Sequence, residues 1–223
     1  MPEINFIRIV SMPFDENTYL LYREGVTSCV VVDPGLEPEK IVKALEERKL
    51  QVAAILNTHG HSDHIAGNGT MKQMWPDAPL VIGHGDAEKL TDPNKNLSAP
   101  FGLALVSPEE DATVKGGDVY SAADIDFEVR ETPGHSQGHV VFVVKDGTRT
   151  IVLGGDVLFS GSIGRTDFPD GSFADLKRSI EEQLFTLPTD SIILPGHGPT
   201  TTVGDEIESN PFVGKPAGYD PAS

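Results

Sequence analysis

The amino-acid sequence predicts a mixed α/β fold, and three features of the chain lead to this prediction. A chain of 223 residues is long enough to bury a substantial core in one domain. Short apolar runs bounded by glycine, proline or charged residues recur along it, as is typical of strands. Between them lie stretches with apolar residues three or four positions apart, which are typical of amphipathic helices. No linker divides the chain, so we predict a single domain over residues 1–223.

The first half of the chain is predicted to alternate between strands and helices. Residues 38–49 place Ile41, Val42 and Leu45 on one helical face. Residues 91–111 contain three prolines and no hydrophobic period, so we expect a long loop that forms a lid or a wall of a substrate site. We predict strands at 4–10, 17–22, 28–33, 52–57 and 79–82, and helices at 38–49, 64–74 and 86–90.

The second half is predicted to be rich in strands, with one long helix. Asp146–Gly147 is a typical turn dipeptide of a β-hairpin. Ser172 and Asp175 form a capping pair that begins a helix, which we expect to end near Leu184. The proline- and glycine-rich tail 212–223 is expected to lie on the surface. We predict strands at 113–120, 125–131, 139–145, 149–154 and 191–194.

The composition excludes several classes of partner. The formal net charge of −17 and the absence of a basic stripe argue against binding to nucleic acid or to an anionic membrane surface. No apolar run approaches the roughly 20 residues that span a bilayer. No basic segment followed by an apolar core marks a secretory signal, so we expect a cytoplasmic location. The single cysteine, Cys29, lies in a strand-like run and is expected to be a buried structural thiol.

A cluster of potential metal ligands directly follows the predicted strand at 52–57. His59, His61, Asp63 and His64 fall within six residues, and they include three of the chain's seven histidines. Neutral imidazoles and a carboxylate at the end of a buried strand can bind a borderline-soft divalent metal such as zinc. This segment therefore predicts a metal site.

Three later segments share a simple pattern, in which a strand is followed by glycine and then by a residue that can bind a metal. They place His135, Asp156 and His197 after predicted strands. Strand ends in sheet-based folds converge on one edge, where ligand sites are built, and the adjacent glycines allow sharp turns of the backbone. Together with the first cluster they predict one shared site. His139 is expected to support it, and His84 to lie at a helix start or at the rim.

The chain resembles the metallo-β-lactamase superfamily, and most closely its glyoxalase II-like hydrolases, in four segments taken in order. These are Thr58–His64, Pro133–Ser136, Gly154–Asp156 and Pro195–Gly198. The resemblance implies a four-layer αβ/βα sandwich with mixed, mostly antiparallel sheets and helices on the outer faces. It also implies a two-metal site at one edge of the sheets.

The resemblance further implies a role for each residue of the site. The implied ligands are His59, His61 and His135 for the first ion, Asp63, His64 and His197 for the second ion, and Asp156 as the bridge between them. The expected ions are two divalent cations, with zinc first and iron or manganese as alternatives. Asp63 is the expected catalytic residue, because it would bind metal and orient the attacking hydroxide. Arg165 lies in a segment similar to one in short glyoxalase II-like proteins and persulfide dioxygenases. It is a candidate either for a substrate contact or for a structural ion pair.

The expected reaction is the hydrolysis of a small thioester. Two divalent ions that share a water molecule lower its pKa toward about 7, which supplies hydroxide at neutral pH. A thiolate with a pKa of about 8–9 departs without a strong general acid, and the predicted site offers none. The first expected substrate is a hydroxyacyl-glutathione such as S-lactoylglutathione. The C-terminal helical region that grips glutathione in classical glyoxalase II is not expected here.

Several alternatives remain open. A persulfide dioxygenase would use one iron held by two histidines and a carboxylate, such as His59 or His61 with His135 and Asp156. The ligand-type segment that contains His197 favours the hydrolase. A general esterase or lactonase and a non-catalytic metal-binding module are further possibilities. A β-lactamase is less expected because Asp156 stands where such enzymes often carry cysteine, and a nuclease is disfavoured by the acidic charge.

Overall fold

The computed structural model describes residues 2–220 and has four layers. Two six-stranded sheets face each other, and helices cover their outer faces. This arrangement confirms the αβ/βα sandwich that the sequence led us to expect. The assignment of residues 1–223 to one domain stays a prediction, and residues 221–223 of the tail lie outside the described residues. Within residues 2–220, no helix has the length and apolarity needed to cross a bilayer.

The first sheet begins with antiparallel strands and continues with parallel ones. Its order follows the chain: β1 (Ile4–Ser11), β2 (Glu16–Arg23), β3 (Ser28–Val32), β4 (Gln51–Asn57), β5 (Leu80–Gly83) and β6 (Ala112–Val114). Strands β1 to β3 are antiparallel neighbours, and β3 to β6 run parallel. Parallel pairs need crossover connections. Helix α1 (Pro38–Arg48) joins β3 to β4, and α2 (Ser62–Ile65) and α3 (Asn68–Met74) join β4 to β5. A 3₁₀ helix over His84–Leu90 and the following loop join β5 to β6.

The second sheet is mostly antiparallel, with one parallel pair. Its strands are β7 (Val119–Ala122), β8 (Ile125–Glu131), β9 (Val140–Asp146), β10 (Arg149–Gly155), β13 (Ile192–Pro195) and β14 (Thr201–Thr202). The order is β14-β13-β10-β9-β8-β7, and β10 and β13 run parallel. Between them lie a small hairpin, β11 (Leu158–Phe159) and β12 (Ser162–Ile163), and helix α4 (Phe173–Ser179). Helix α5 (Val203–Ser209) follows β14.

Alternating side chains along the strands build three hydrophobic cores. In β3, Val30 and Val32 point into the core between the sheets, whereas Cys29 and Val31 point toward the helices of the first sheet. This follows from the period of two along a strand. The Cys29 thiol is fully buried, which confirms the expectation, and burial raises its pKa to about 12. The third core packs α4 and α5 against the second sheet.

Four predicted elements differ in detail from the structure. The predicted strand 113–120 is divided between β6 and β7, because residues 115–118 form a turn with Gly117 at φ +90°. The predicted helix 64–74 is interrupted at Gly67 between α2 and α3. Residues 84–90 form a 3₁₀ helix, and the α-helix at 172–184 ends as a π-helical turn over Ile180–Leu184. The capping bond is present, with Asp175 N donating to Ser172 Oγ over 3.3 Å.

Candidate metal centre

The potential metal ligands lie on loops that leave both sheets at the same edge. The cluster that begins at His59 follows β4 of the first sheet, and His135, Asp156 and His197 follow β8, β10 and β13 of the second. Close approach of the backbone depends on Gly196. A Cβ atom there would lie 2.2 Å from Asp156 Oδ1 and 2.7 Å from His64 Cε1. All seven side chains named from the sequence are therefore neighbours in the folded chain.

Three histidines form the first set of facing ligand atoms, which we call the deep group. His59, His61 and His135 are all buried, and their ligand atoms lie within 4.8 Å of one another. His61 Nδ1 faces His135 Nε2 at 2.8 Å. Three converging imidazole nitrogens are a typical ligand set for a divalent transition metal.

A second set, which we call the outer group, consists of Asp63, His64 and His197. Its ligand atoms also lie within 4.8 Å of one another. Asp63 Oδ2 lies 3.4 Å from His197 Nε2 and 3.8 Å from His64 Nε2. The side chains of Asp63 and His197 are 20% and 25% exposed, so this group faces the surface side of the site.

Asp156 lies between the two groups. Its Oδ1 is 3.4 Å from His64 Nε2, and its Oδ2 is 3.5 Å from both His135 Nε2 and His197 Nε2. The carboxylate thus contacts one histidine of the deep group and two of the outer group. This is the position from which one residue can touch ions in both groups.

Several buried ligand atoms lack a hydrogen-bond partner within residues 2–220. They are His59 Nε2, His61 Nε2, His64 Nε2 and Asp156 Oδ1. Buried polar atoms are normally paired, and an unpaired one has a considerable energetic cost. Because these atoms belong to residues of the two groups and to Asp156 between them, the residues present fit bound cations, which would satisfy unpaired ligand atoms such as His64 Nε2 and Asp156 Oδ1.

The two groups have opposite electrostatic character. Burial lowers the pKa of His59 and His61, and neighbouring histidines lower it further. Burial also lowers the pKa of His135. For His64 the effect of burial is outweighed by Asp156 and Asp63, whose charges raise its pKa well above the usual 6.5. His197 also has a raised pKa despite its burial, because it contacts Asp63 and Asp156.

The sequence reasoning did not identify Asp33, which supports His64. Asp33 Oδ2 lies 3.2 Å from His64 Nδ1, and the same carboxylate accepts hydrogen bonds from Thr58 N and Thr58 Oγ1 at 2.8 and 2.7 Å. It orients the imidazole so that Nε2 faces Asp63 and Asp156. The available signal was a carboxylate at the end of a buried strand, directly before Pro34–Gly35.

Asp86 was also missed, and it ties together the two loops that carry the deep group. Its carboxylate accepts hydrogen bonds from Gly60 N and Gly138 N, both at 2.8 Å, and from Ser136 Oγ at 2.6 Å. Lys89 Nζ lies 3.3 Å from the same carboxylate and is itself buried. This network connects the loop between His59 and His61 with the loop that follows His135.

The remaining residues named from the sequence lie around the site. His139 is buried, and its Nε2 accepts a hydrogen bond from Asp156 N at 3.1 Å, so it positions the backbone of Asp156. His84 is exposed at the first residue of the 3₁₀ helix. Arg165 lines the cavity in front of the site, where its guanidinium forms two 2.9 Å hydrogen bonds with Asp167.

A cavity of about 260 Å³ opens in front of both groups. Ligand residues form its floor, and the loop 91–111 contributes Asn96, Leu97 and Phe101 to its wall. The predicted role of this loop as a wall of the site is therefore matched by its position. The other lining residues are Phe14, His61, Ser62, Asp63, His135, Asp156, Phe159, Arg165, Phe168 and His197.

Comparison with known proteins agrees with this architecture. The probable metallo-hydrolase YqgX of Bacillus subtilis is 37% identical over 202 residues, which are 90% of this chain and 93% of the relative. The hydroxyacylglutathione hydrolase GloC of Haemophilus influenzae is 34% identical over 207 residues, which are 90% of this chain and 93% of the relative. Both relatives are therefore similar over nearly their whole length.

Solved structures give the same result. The crystal structure of the BLEG-1 B3 metallo-beta-lactamase superposes with a TM-score of 0.88 at 33% identity, covering 94% of this chain and 99% of that chain. The family model described as the metallo-beta-lactamase superfamily matches residues 12–197, a range that contains all seven ligand-type residues. The chain belongs to the metallo-beta-lactamase superfamily.

Proposed function

We propose that this protein is a metal-dependent thioester hydrolase with two divalent ions, zinc in the first instance. Its first substrate would be a hydroxyacyl-glutathione such as S-lactoylglutathione. The observation that carries the proposal is the pair of ligand groups with Asp156 between them, because two adjacent groups fit two ions with a shared carboxylate. The similarity to a hydroxyacylglutathione hydrolase supports the choice of thioester.

The roles of individual residues follow from their positions in the cavity. When bound, the ions would supply a Lewis acid and a hydroxide nucleophile at neutral pH. Asp63 is partly exposed at the cavity floor, where its carboxylate can accept a hydrogen bond from the attacking water and orient it toward the carbonyl carbon. His197 holds Asp63 in place through its 3.4 Å contact. Phe168 and Leu97 contribute apolar surface to the same cavity.

The chemistry of the leaving group fits this set of residues. Water adds to the carbonyl carbon, the carbon–sulfur bond breaks, and the products are a carboxylic acid and a thiol. An alkyl thiolate with a pKa of about 8.5 departs without protonation, whereas an amine would require a general acid. Lys89 lies in the loops behind the deep group, and its ammonium is buried against Asp86 and Asp170. Lys89 is therefore not placed to donate a proton to a leaving group at the cavity floor.

Two other activities have a specific observation in their favour. The deep group with Asp156 offers histidines and one carboxylate, which is the ligand type of a mononuclear-iron dioxygenase acting on persulfides. The 33% identity with a B3 metallo-beta-lactamase favours β-lactam hydrolysis. The outer group argues for a second ion and hence for hydrolysis over the dioxygenase.

The decisive experiment follows the loss of thioester absorbance from S-lactoylglutathione under anaerobic conditions with zinc-reconstituted protein. We expect turnover that falls by more than about 100-fold in Asp63→Ala, because the group that orients the water is lost. Asp77→Ala, at an exposed position away from the cavity, serves as the matched control. Absence of turnover with zinc bound would contradict the glutathione-thioester assignment. Oxygen uptake with glutathione persulfide on iron-loaded protein, or nitrocefin hydrolysis, would then identify the alternative.

A further inference from the structure

The walls of the cavity are aromatic to an unusual degree. Four of the chain's ten phenylalanines, Phe14, Phe101, Phe159 and Phe168, are among its thirteen lining residues. Aromatic side chains are common in ligand sites, where they give a large contact area at low entropic cost. Their concentration here points to the chemistry of the bound molecule.

The four rings occupy two levels of the cavity. At the floor, the Phe168 ring lies 5.2 Å from His61 and 5.7 Å from His135 between ring centres, and Phe159 lies 6.1 Å from His197. At the mouth, Phe14 and Phe101 meet edge to face at 5.9 Å. If the thioester bond of a substrate lies at the floor, its thiol carrier would therefore extend along these aromatic rings toward the mouth.

The two rings at the mouth leave much of their surface in water. Phe101 is 65% exposed and Phe14 is 39% exposed, although they touch each other. Exposed apolar surface at the entrance of a cavity with polar groups at its base is typical of a binding site. A ligand that covered this apolar surface would remove it from water, and this burial would contribute favourably to the free energy of binding.

The aromatic and aliphatic wall is held in place by the rest of the loop. Leu97 adopts φ +66°, a left-handed conformation that is costly for a leucine. Asn96 maintains it: its backbone carbonyl accepts from Ser62 N at 2.9 Å, and its side chain bonds to Ser98 N and Leu105 O. The strain places the Leu97 side chain in the cavity, beside Phe101.

The side chains along the cavity wall offer little positive charge to an anionic arm. Arg165 is the only lysine or arginine among the lining residues, and both of its contacting nitrogens are bound to Asp167 at 2.9 Å. Its guanidinium also stacks on Phe168 at 4.6 Å. A carrier with two carboxylates, such as glutathione, would have to compete with Asp167 for this one basic side chain.

We propose that the wall formed by Phe14, Leu97 and Phe101 selects thioesters whose departing thiol carries an uncharged apolar or aromatic group. This inference rests on the proposed thioester hydrolysis and refines its substrate class. The polar glutathione carrier would gain little binding affinity from contact with this apolar wall. An apolar carrier would bind more tightly, because it would cover the exposed surfaces of Phe14 and Phe101 at the mouth of the cavity.

The test compares two substrates that share the acyl group and differ only in the carrier. S-Lactoylglutathione and the lactoyl thioester of benzyl mercaptan both release an alkyl thiolate. With zinc-loaded protein we expect kcat/KM to be about tenfold higher for the benzyl thioester, which corresponds to about 1.4 kcal/mol. Phe101→Ala should remove this advantage, Phe101→Leu should retain most of it, and the effect should lie mainly in KM. Phe173→Ala, which removes a 46% exposed ring outside the cavity, is the matched control.

Each outcome has a distinct meaning. A fall in kcat/KM in Phe101→Ala that is at least about fivefold larger on the benzyl thioester than on S-lactoylglutathione supports the inference. A preference for the glutathione thioester, or an equal loss on both substrates in Phe101→Ala, overturns the inference and leaves thioester hydrolysis intact. Failure to hydrolyse either substrate with both ions bound contradicts the proposed function, and the inference falls with it.

Discussion

The deep group and the outer group share one edge of the fold and one carboxylate, yet they are built differently. The deep group consists of three buried imidazoles whose pKa values are lowered, and Asp86 connects the loops that carry them. The outer group contains a carboxylate, and the side chains of its Asp63 and His197 are 20% and 25% exposed. In it, Asp63 and Asp156 raise the pKa of His64 and His197.

This difference suggests that the two groups bind their ions with different affinities. A neutral and buried ligand set binds a cation without first losing protons, so it holds its ion tightly. The outer group must release protons before it binds, and it is open to water and substrate. We therefore expect the deep group to bind one ion tightly. The outer group would hold its ion more weakly, and that ion would exchange more readily with the solvent in the cavity.

The largest expected effect comes from removing one histidine from each group. His197→Ala should retain about one ion per chain after dialysis against a mild chelator, because the deep group is intact, whereas His135→Ala should retain almost none. Both variants should lose more than about 100-fold in thioester hydrolysis, since the reaction requires both ions. Metal analysis of the dialysed proteins, with kinetics on the same samples, measures both quantities.

The matched control for these variants is His84→Ala, which changes an exposed histidine outside both groups. It should retain the metal content and the activity of the original protein. Equal retention of metal by His135→Ala and His197→Ala would show that the groups do not differ in affinity. The proposal that the deep group holds its ion more tightly than the outer group would then be wrong.

A smaller effect is expected from Asp86→Asn. The substitution keeps the shape of the side chain but removes the charge that accepts hydrogen bonds from Gly60, Gly138 and Ser136. We expect the affinity of the deep group to fall by about 10- to 100-fold, which is typical for residues that orient metal ligands. Competition titration with a chromogenic chelator measures this change for each ion.

The cobalt spectrum separates a positioning role of Asp86 from a general loss of structure. Asp86→Asn should alter the absorption of cobalt in the deep group and leave that of the outer group nearly unchanged, with Asp77→Asn as the exposed control. Uniform weakening of both ions, together with a lowered unfolding temperature of the metal-free protein, would indicate that Asp86 stabilises the fold without orienting the ligands.

Much of the fold and the membership of the site could be predicted from local sequence. Apolar runs and helical spacing predicted most elements, and the Gly-flanked ligand residues after strands marked the loops that meet at one edge. His135 and His197 became neighbours of the first cluster because strand ends of facing sheets converge there. The division of the predicted strand 113–120 was also signalled, by the adjacent Gly116 and Gly117.

The supporting residues could not be predicted in this way. Asp33 and Asp86 lie 31 and 26 residues from His64 and Gly60, the groups that they contact, and no fixed spacing connects them. Their roles depend on tertiary contacts between separate loops. The strain at Leu97 is equally invisible in the sequence, because a leucine gives no signal of a left-handed conformation.

The smallest and most discriminating effect concerns pH. In the metal-loaded protein, acidification should release the ion of the outer group before that of the deep group. An ion bound to His64 competes with protons already above pH 6.5, because Asp156 and Asp63 outweigh burial and raise the pKa of this histidine. Protons compete for His59 and His61 only well below pH 6.5, because burial lowers the pKa of both. The release midpoint of the outer ion should therefore lie at a higher pH than that of the deep ion.

Cobalt-substituted protein titrated from alkaline to acidic pH would resolve the two steps through the absorption of each ion. The His197→Ala variant, which is expected to keep only the ion of the deep group, supplies the reference spectrum for the second step. The sign is fixed by the chemistry of the ligands: a raised histidine pKa makes metal binding weaken as soon as the pH falls toward neutrality, and a lowered pKa delays this loss. A single transition for both ions, or earlier release from the deep group, would contradict the electrostatic difference between the groups, whatever their relative affinities at pH 8.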